Sequence, residues 1–384
     1  IWKRIVMLQI QRTSESFNVA VAEIAISADQ CEVSFSGSPH GGIAALWFHF
    51  RIFNDGKDVL PSRMVLKLKH IMTMLGAGRG EFYPVIRYGE GEWKRLTDRI
   101  PSVREDGHRA VCWLADTPES GEYAEVAFCY PYGVKEFDTM LKDTGGYWTR
   151  DEIGVSAAGR SFFRISNCYG SESERRKGCY LFARQHAAET SGAWVLDGIL
   201  RRLAERNVTF PVWCVPFADI DGVIDGNYGK DSFPQDINRS WGPHAPMRHE
   251  NMVMIQDLNL WKLRVIPEDS AIFDFHSPGA AEKGVYSFLQ KAVPADSRFY
   301  RWVQETGKAL QPYSHDDFIK YGNYKKFAAW GDFYNLSEFA FNTLHISFAS
   351  FETSYYEAGR QVLEIKDYRN IGAIFAERLI SYLQ

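Results

Sequence analysis

The segment Cys179-Tyr-Leu-Phe-Ala-Arg-Gln-His186-Ala-Ala-Glu189-Thr decides the predicted fold of this chain. Its first five residues are apolar or aromatic and predict a buried strand, and residues 191–203 have the apolar spacing of an amphipathic helix. His186 and Glu189 therefore lie in a strand-to-helix turn, where an imidazole and a carboxylate can bind one metal ion. Alone, the His-x-x-Glu pair is a weak signal, because most such pairs are surface or capping residues.

Three further motifs follow this pair along the chain. The first is Asp236-Ile-Asn238-Arg239-Ser-Trp, and the second is the strand-like run Ala271-Ile-Phe-Asp-Phe-His276. The third is Glu352, which directly follows the apolar run His345-Ile-Ser-Phe-Ala-Ser-Phe. His276 adds a second imidazole, and three protein ligands with an open fourth position are typical of a catalytic zinc site.

In this order, the motifs resemble those of the M14-type zinc carboxypeptidases, which run His-x-x-Glu, Asn-Arg, distal His and late catalytic Glu. The resemblance implies that His186, Glu189 and His276 hold one zinc ion per chain, which polarises the scissile carbonyl and activates a water molecule. It also implies that Glu352 is the general base that moves a proton from this water to the leaving amine. A surface carboxylate is the alternative interpretation of Glu352, and its place after an apolar run disfavours that alternative.

The Asn-Arg motif is expected to bind the substrate. By the same resemblance, Arg239, next to Asn238, binds the free carboxylate at the substrate's C-terminus. A guanidinium suits this role because its planar fork matches two carboxylate oxygens. Without the motif, a salt-bridged arginine at a domain edge would be the favoured interpretation.

One departure from the family pattern concerns the oxyanion of the reaction. Many members carry Gly-Asn-Tyr-Arg, and the arginine helps to stabilise the tetrahedral oxyanion, whereas this chain has Gly226-Asn-Tyr-Gly229-Lys230. Losing such a donor typically lowers the rate about 100- to 1000-fold. Lys230 is therefore either a substitute for the arginine or a sign of weakened activity, and a solvated loop lysine is an equally good interpretation.

Three residues upstream of Glu352 concern the specificity region. Many family members place a mobile tyrosine there, and both Tyr324 and Tyr334 lie in that neighbourhood, so the sequence does not choose between them. Glu338 lies in the same stretch, and if its side chain faced the pocket it would disfavour an acidic substrate residue.

The chain has two parts with different patterns. Residues 1–132 show short runs of alternating or β-rich character separated by Gly, Pro, Asn and Asp, which predicts an all-β antiparallel sandwich. Residues 133–384 alternate strands and helices, which predicts an α/β domain with a mixed sheet between helices (α/β/α). This layout, together with Phe128-Cys-Tyr-Pro-Tyr-Gly, resembles the cytosolic carboxypeptidase-like subfamily.

Composition narrows the class of protein further. The chain has 384 residues and a net charge of -4, which suggests no nucleic-acid partner. Charges interrupt every long apolar run, so no membrane partner is expected. The six cysteines form no C-x-x-C pair, and no signal segment follows Ile1, so we expect reduced thiols and a cytoplasmic location.

These observations predict a zinc-dependent metallocarboxypeptidase that acts on the C-terminus of a peptide or protein. The subfamily includes enzymes that trim glutamate from acidic tails, which suggests glutamate as the leaving residue. One alternative is a related zinc amidohydrolase that acts on an acylated amino acid or a cell-wall peptide. Another is a catalytically weak zinc-fold binding protein, which the glycine at position 229 keeps open. Composition leaves the oligomeric state undetermined.

Overall fold

The computed structural model describes residues 8–12, 15–27, 29–39, 45–56, 60–74, 82–105, 108–230, 235–242, 248–321 and 334–384. Two compact units divide the chain. The first comprises Ile1–Pro131 with Ile224–Tyr228 and Gly279–Ala281, and the second comprises Tyr132–Val223, Gly229–Pro278 and Glu282–Gln384. Within the described ranges, no helix is both long enough and apolar enough to cross a membrane.

The first unit contains two five-stranded sheets, ordered β1-β4-β10-β6-β7 and β2-β3-β5-β9-β8. Their strands are β1 Leu8–Gln11, β2 Ala20–Ile26, β3 Cys31–Ser36, β4 His49–Asn54, β5 Arg63–Leu68, β6 Val85–Tyr88, β7 Lys94–Arg95, β8 Arg99–Glu105, β9 His108–Asp116 and β10 Tyr123–Ala127. The two sheets contact each other through aromatic side chains, since the Phe35 ring of β3 lies 4.6 Å from the Phe50 ring of β4. That residues 1–132 form a separate sandwich domain stays a prediction.

The prediction of an antiparallel arrangement was wrong at one pair of strands. β3 and β5 are parallel, with Cys31 opposite Met64, whereas the other pairs in these two sheets are antiparallel. Parallel neighbours need a crossover connection. Here the connection runs through β4, which belongs to the other sheet, so the chain returns to its first sheet in the original direction.

The second unit contains an eight-stranded mixed sheet, ordered β11-β12-β14-β13-β15-β18-β16-β17. These strands are β11 Thr149–Val155, β12 Ser161–Ser166, β13 Cys179–Ala183, β14 Val212–Val215, β15 Ala271–His276, β16 Val285–Leu289, β17 Ser314–Tyr321 and β18 Ser347–Thr353. The four central strands, β14, β13, β15 and β18, are parallel. A small hairpin follows, formed by β19 Glu357–Ala358 and β20 Gln361–Val362.

Helices cover both faces of this sheet. The α-helices within the described ranges are α1 Val134–Asp143, α2 Thr190–Glu205, α3 Ile220–Asp225, α4 His249–Lys262, α5 Arg298–Ala309, α6 Leu336–Glu338 and α7 Ile365–Leu383. Trp261 of α4 packs edge-on against Tyr180 of β13 on one face. Phe375 of α7 contacts Phe275 and Phe351 on the other face. The α/β arrangement with a mixed sheet agrees with the prediction for this part of the chain.

The start of α2 is held close to the end of β15. A Cβ atom at Gly192, in the first turn of α2, would lie 2.7 Å from the carbonyl oxygen of Phe275. Such a distance is far below van der Waals contact, so only glycine permits this approach. The close packing places the turn before α2 beside the carboxyl end of β15.

Candidate metal centre

The predicted ligands come together where three parallel strands end. β13, β15 and β18 are adjacent, and Ala183 pairs with Phe275 while His276 pairs with Glu352. In open α/β sheets, ligand sites lie beyond the carboxyl ends of the strands. The turn between β13 and α2 carries His186 over the same edge of the sheet.

His186, Glu189 and His276 form one buried cluster. One ligand atom from each residue lies within 4.8 Å of the other two. The Nδ1 atoms of both histidines contact the same carboxylate, His186 at 2.8 Å from Oε1 and His276 at 2.7 Å from Oε2. Two imidazole nitrogens and a carboxylate are a donor set that catalytic zinc sites use, so these residues fit a zinc ion.

A further carboxylate contacts the second ring nitrogen, Nε2, of each histidine. His186 Nε2 lies 3.2 Å from Asp236 Oδ2, and His276 Nε2 lies 2.6 Å from Asp274 Oδ2. Metal-binding histidines commonly donate their second ring N–H to such a partner, which leaves the other nitrogen for the metal. Burial disfavours the charged form of His276, but the charges of Asp274 and Glu189 outweigh burial and raise its pKa well above the ordinary value.

Sequence reasoning missed Asp274, although a signal for it was present. The residue is 1% exposed, in the middle of an otherwise apolar strand. A buried carboxylate needs a hydrogen-bonded or charged partner. Its position two residues before His276 places both side chains on the same face of β15. That spacing would have indicated Asp274 as the partner of this histidine.

Glu352 occupies the end of β18, directly opposite His276 in the neighbouring strand. Its Oε2 atom is buried and has no hydrogen-bond partner among the residues that the structure describes. Burial is the main cause that raises the pKa of Glu352 to about 7; the charge of His276 opposes this rise and that of Glu189 adds to it. A carboxyl group with a pKa near neutrality can both accept and release a proton.

The backbone at Gly229 packs directly against the metal loop. Gly229 has a φ of 100°, and a Cβ atom there would lie 2.4 Å from the nitrogen of Ala187 and 2.9 Å from Cα of His186. Position 229 therefore has no room for an arginine or any other side chain. The next residue brings the cation instead, since Lys230 Nζ lies 3.0 Å from Glu189 Oε1.

Asn238 and Arg239 lie in a short 3-10 turn, Ile237–Arg239, that Asp236 caps by accepting a 2.7 Å hydrogen bond from the Asn238 backbone nitrogen. Asn238 Nδ2 lies 3.5 Å from His276 Nε2, at the margin of the metal cluster. Arg239 is partly buried, and one of its guanidinium nitrogens donates to the Asn238 carbonyl at 2.8 Å. The turn therefore joins the Asn-Arg motif to the carboxylate that supports His186.

The remaining predicted positions have mixed outcomes. The Tyr334 carbonyl accepts a 2.9 Å hydrogen bond from the Trp241 backbone nitrogen, beside the Asn-Arg turn. Tyr324 lies outside the described residues, so the choice between the two tyrosines stays open. Glu338 caps α6, and its Oε2 accepts a 3.3 Å hydrogen bond from the backbone nitrogen of Asn335.

Comparison with known proteins gives one consistent family. No protein-family model matches the chain. It is 25% identical over 225 residues to cytosolic carboxypeptidase 2 of Danio rerio, which covers 51% of this chain and 31% of that protein. It is 23% identical over 230 residues to cytosolic carboxypeptidase 6 of Caenorhabditis elegans, covering 56% of this chain and 50% of that protein. The matches thus span half or less of these relatives.

Solved structures share the fold over nearly the whole chain. A metallo-carboxypeptidase from Burkholderia cenocepacia superposes with a TM-score of 0.75 at 17% identity, covering 98% of this chain and 99% of that one. A metallo-carboxypeptidase from Pseudomonas aeruginosa, in complex with (2-guanidinoethylmercapto)succinic acid, gives 0.73 at 18% identity, covering 98% and 100%. The chain thus has the fold of these metallo-carboxypeptidases.

The sequence relatives, named cytosolic carboxypeptidases, support an M14 carboxypeptidase of the cytosolic-like type. The prediction of this family, made from four short motifs, is confirmed.

Proposed function

We propose that this chain is a zinc-dependent carboxypeptidase that releases the C-terminal residue of a peptide or protein. The observation that carries the proposal is the buried cluster of His186, Glu189 and His276, with Glu352 beside it on the next strand. When bound there, a zinc ion would polarise the scissile carbonyl and make a bound water more acidic.

Glu352 is the proposed general base. Its pKa of about 7 suits a group that must take a proton from the attacking water and return it to the leaving amine at neutral pH. The residue as a whole is partly exposed, although its Oε2 atom is buried. This environment favours an enzyme over a zinc-fold binding protein, since a binding protein has no use for a base poised beside the ligands.

Lys230 is the proposed source of positive charge for the oxyanion. Its ammonium group lies within 3.0 Å of a ligand carboxylate, so it is close to where the scissile carbonyl would bind. A fixed cation at a site of developing negative charge stabilises the transition state more than the ground state. This assignment replaces the arginine that the backbone contacts of Gly229 exclude.

Arg239 and Asn238 are the proposed clamp for the substrate's terminal carboxylate. The turn that carries them lies at the edge of the cluster, with Asn238 Nδ2 3.5 Å from His276 Nε2. A guanidinium can bind the two oxygens of a carboxylate with two parallel hydrogen bonds. Such a clamp would restrict the enzyme to free C-termini, as an exopeptidase requires.

The leaving residue and the cellular compartment are further parts of this proposal. Relatives named cytosolic carboxypeptidases support a cytoplasmic location, and so do Cys31, Cys179 and Cys214, which are buried free thiols in the described part of the chain. Glutamate is the proposed leaving residue, on family resemblance alone. The capping contact of Glu338 removes one argument against it, because that carboxylate interacts with the backbone of Asn335.

The test combines metal analysis with a residue-release assay. Purified protein is assayed for zinc content and then incubated with peptides that end in Glu, Lys or Phe, with C-terminally amidated peptides as controls. One zinc per chain with release of a single residue class from free C-termini would support the proposal. Zinc without release from any peptide would point to another amide substrate or a binding role, and a folded, metal-supplied protein without zinc would refute the proposal.

A further inference from the structure

A series of hydrogen bonds between buried polar groups leads to His276, and the proposed mechanism does not use it. Trp241 Nε1 donates a 2.7 Å hydrogen bond to Gln185 Oε1, and Gln185 Nε2 donates to Asp274 Oδ2. The same Asp274 oxygen lies 2.6 Å from His276 Nε2. Trp241 and Gln185 are 0% exposed and Asp274 is 1% exposed, so bulk water does not compete for these hydrogen bonds.

The indole N–H of Trp241, at one end of this series, fixes the direction of each hydrogen bond in the series. An indole N–H can only donate, so the Gln185 atom that faces Trp241 must be the amide oxygen. The amide nitrogen must then face Asp274. An ionised carboxylate only accepts, so Asp274 Oδ2 accepts from Gln185 and from the Nε2–H group of His276. The Nδ1 atom of His276 remains to face the ligand cluster.

The two oxygens of Asp274 have different surroundings, and this difference shows what Gln185 contributes. Asp274 Oδ1 is buried without a hydrogen-bond partner in the described part of the chain. Within the described residues, the hydrogen bonds to this carboxylate therefore all reach Oδ2. If Gln185 did not hold Oδ2, the carboxylate could rotate about its terminal bond, and His276 would lose its fixed acceptor.

We infer that Gln185, held by Trp241, is a positioning residue that fixes Asp274 and thereby the orientation of the metal ligand His276. This inference rests on the proposed zinc-dependent function. It concerns the residue directly before the ligand His186 in the chain. Outer partners of metal-binding histidines typically change metal affinity about 10- to 100-fold when they are removed.

The test is the isosteric variant Gln185→Glu. In its ionised form the new carboxylate can still accept from Trp241, but it cannot donate to Asp274 and places a second acceptor opposite that residue. We expect zinc affinity, measured by competition with a chelator, to fall about 10- to 100-fold. Gln185→Met is the second variant, because it removes the donor without adding a charge.

Gln361→Glu is the matched control. Gln361 Nε2 donates to Asp367 Oδ1 at 2.7 Å, so this variant breaks the same kind of Gln–Asp bond away from the metal cluster. Thermal unfolding of the metal-free proteins measures any loss of stability that follows from breaking a Gln–Asp hydrogen bond, which the control variant should also show. A loss of zinc affinity in both Gln185 variants, with the control unchanged, would support the inference.

Two outcomes would overturn the inference, and they can be told apart. If the unmodified protein binds zinc and both Gln185 variants bind it equally well, the positioning role is wrong while the proposed function survives. If the unmodified protein itself binds no zinc, the proposed function fails and the inference fails with it.

Discussion

Gly229 and Ala187 are in direct backbone contact: a Cβ atom on Gly229 would lie 2.4 Å from the Ala187 nitrogen. Ala187 lies between the ligands His186 and Glu189 in the chain, so this contact presses a second loop against the metal turn. The glycine at 229 is thus required by packing. The cation near Glu189 belongs to the next residue, Lys230. The departure from the family motif has a structural cause in this chain.

We first predict that Gly229→Ala weakens both folding and zinc binding. Its left-handed φ costs an alanine about 1–2 kcal/mol, and the overlap with the metal turn adds about 1–3 kcal/mol. Gly159→Ala is the control, since Gly159 also has a positive φ of 77° but no heavy atom of the described residues lies within 4 Å of its Cβ position. Chemical denaturation and chelator competition check the prediction. Equal losses of stability in the two variants, with zinc affinity intact, would contradict it.

Replacement of Glu352 by glutamine should abolish turnover while zinc and substrate still bind. The amide is nearly isosteric but cannot accept the proton of the attacking water, so we expect kcat to fall about 100- to 10,000-fold. Zinc content and the affinity for a substrate peptide should stay close to those of the unmodified protein. Residue release at saturating peptide measures the effect. Turnover that survives the substitution would exclude Glu352 as the base.

Lys230→Met tests whether this cation acts on the transition state. If it stabilises the oxyanion, kcat falls about 100- to 1000-fold with little change in KM. Lys230→Arg keeps a positive charge and should recover part of the rate. If Lys230 only held Glu189 in place, Lys230→Met would lower the zinc content instead. Steady-state kinetics on zinc-loaded protein separate these effects. An unchanged kcat in Lys230→Met would exclude a role for this cation in the transition state.

The first unit contains a buried carboxylate that should make its stability depend on pH. Glu125 is 1% exposed, and it accepts hydrogen bonds from Arg51 at 2.7 Å and from Arg87 at 2.6 Å. Burial opposes its ionisation, but the His49 imidazole 3.8 Å away, the hydrogen bond from Arg51 and the charge of Arg87 outweigh burial and lower the pKa from 4.5 to about 2.

A lowered pKa in the folded state contributes stability above the unfolded pKa and loses it as the pH falls through the folded pKa. For Glu125 this contribution is about 3 kcal/mol, most of it lost between about pH 5 and about pH 2. We therefore expect the destabilisation caused by Glu125→Gln to shrink as the pH falls through this range, because the ionised carboxylate that it replaces is then lost from the unmodified protein as well. The free energy of unfolding measured at several pH values checks this, with the exposed Glu119→Gln as control. A destabilisation independent of pH would contradict the assignment.

Several features of the site follow from sequence alone. The apolar runs before His186, His276 and Glu352 indicated strands, and the polar residue at each strand end indicated a ligand or base. These signals are local, because side-chain spacing within one strand or turn depends on the nearest few residues. The His-x-x-Glu pair and the Asn-Arg motif could therefore be identified before any contact was known, and their resemblance to a known family indicated the family.

Other features depended on contacts between distant parts of the chain. Glu189 and His276 meet although 87 residues separate them, because the parallel register of β13 and β15 aligns their ends. The pairing of Gln185 with Asp274 spans 89 residues and relies on the same register.

The sequence by itself determined which residues could bind a metal and in what order they occur. Only the tertiary structure decided which groups stand behind those ligands, why position 229 is a glycine, and that β3 and β5 run parallel. The physical reason is that hydrogen-bond direction and close packing are properties of groups brought together by folding. Local spacing carries no information about which distant strand becomes the neighbour.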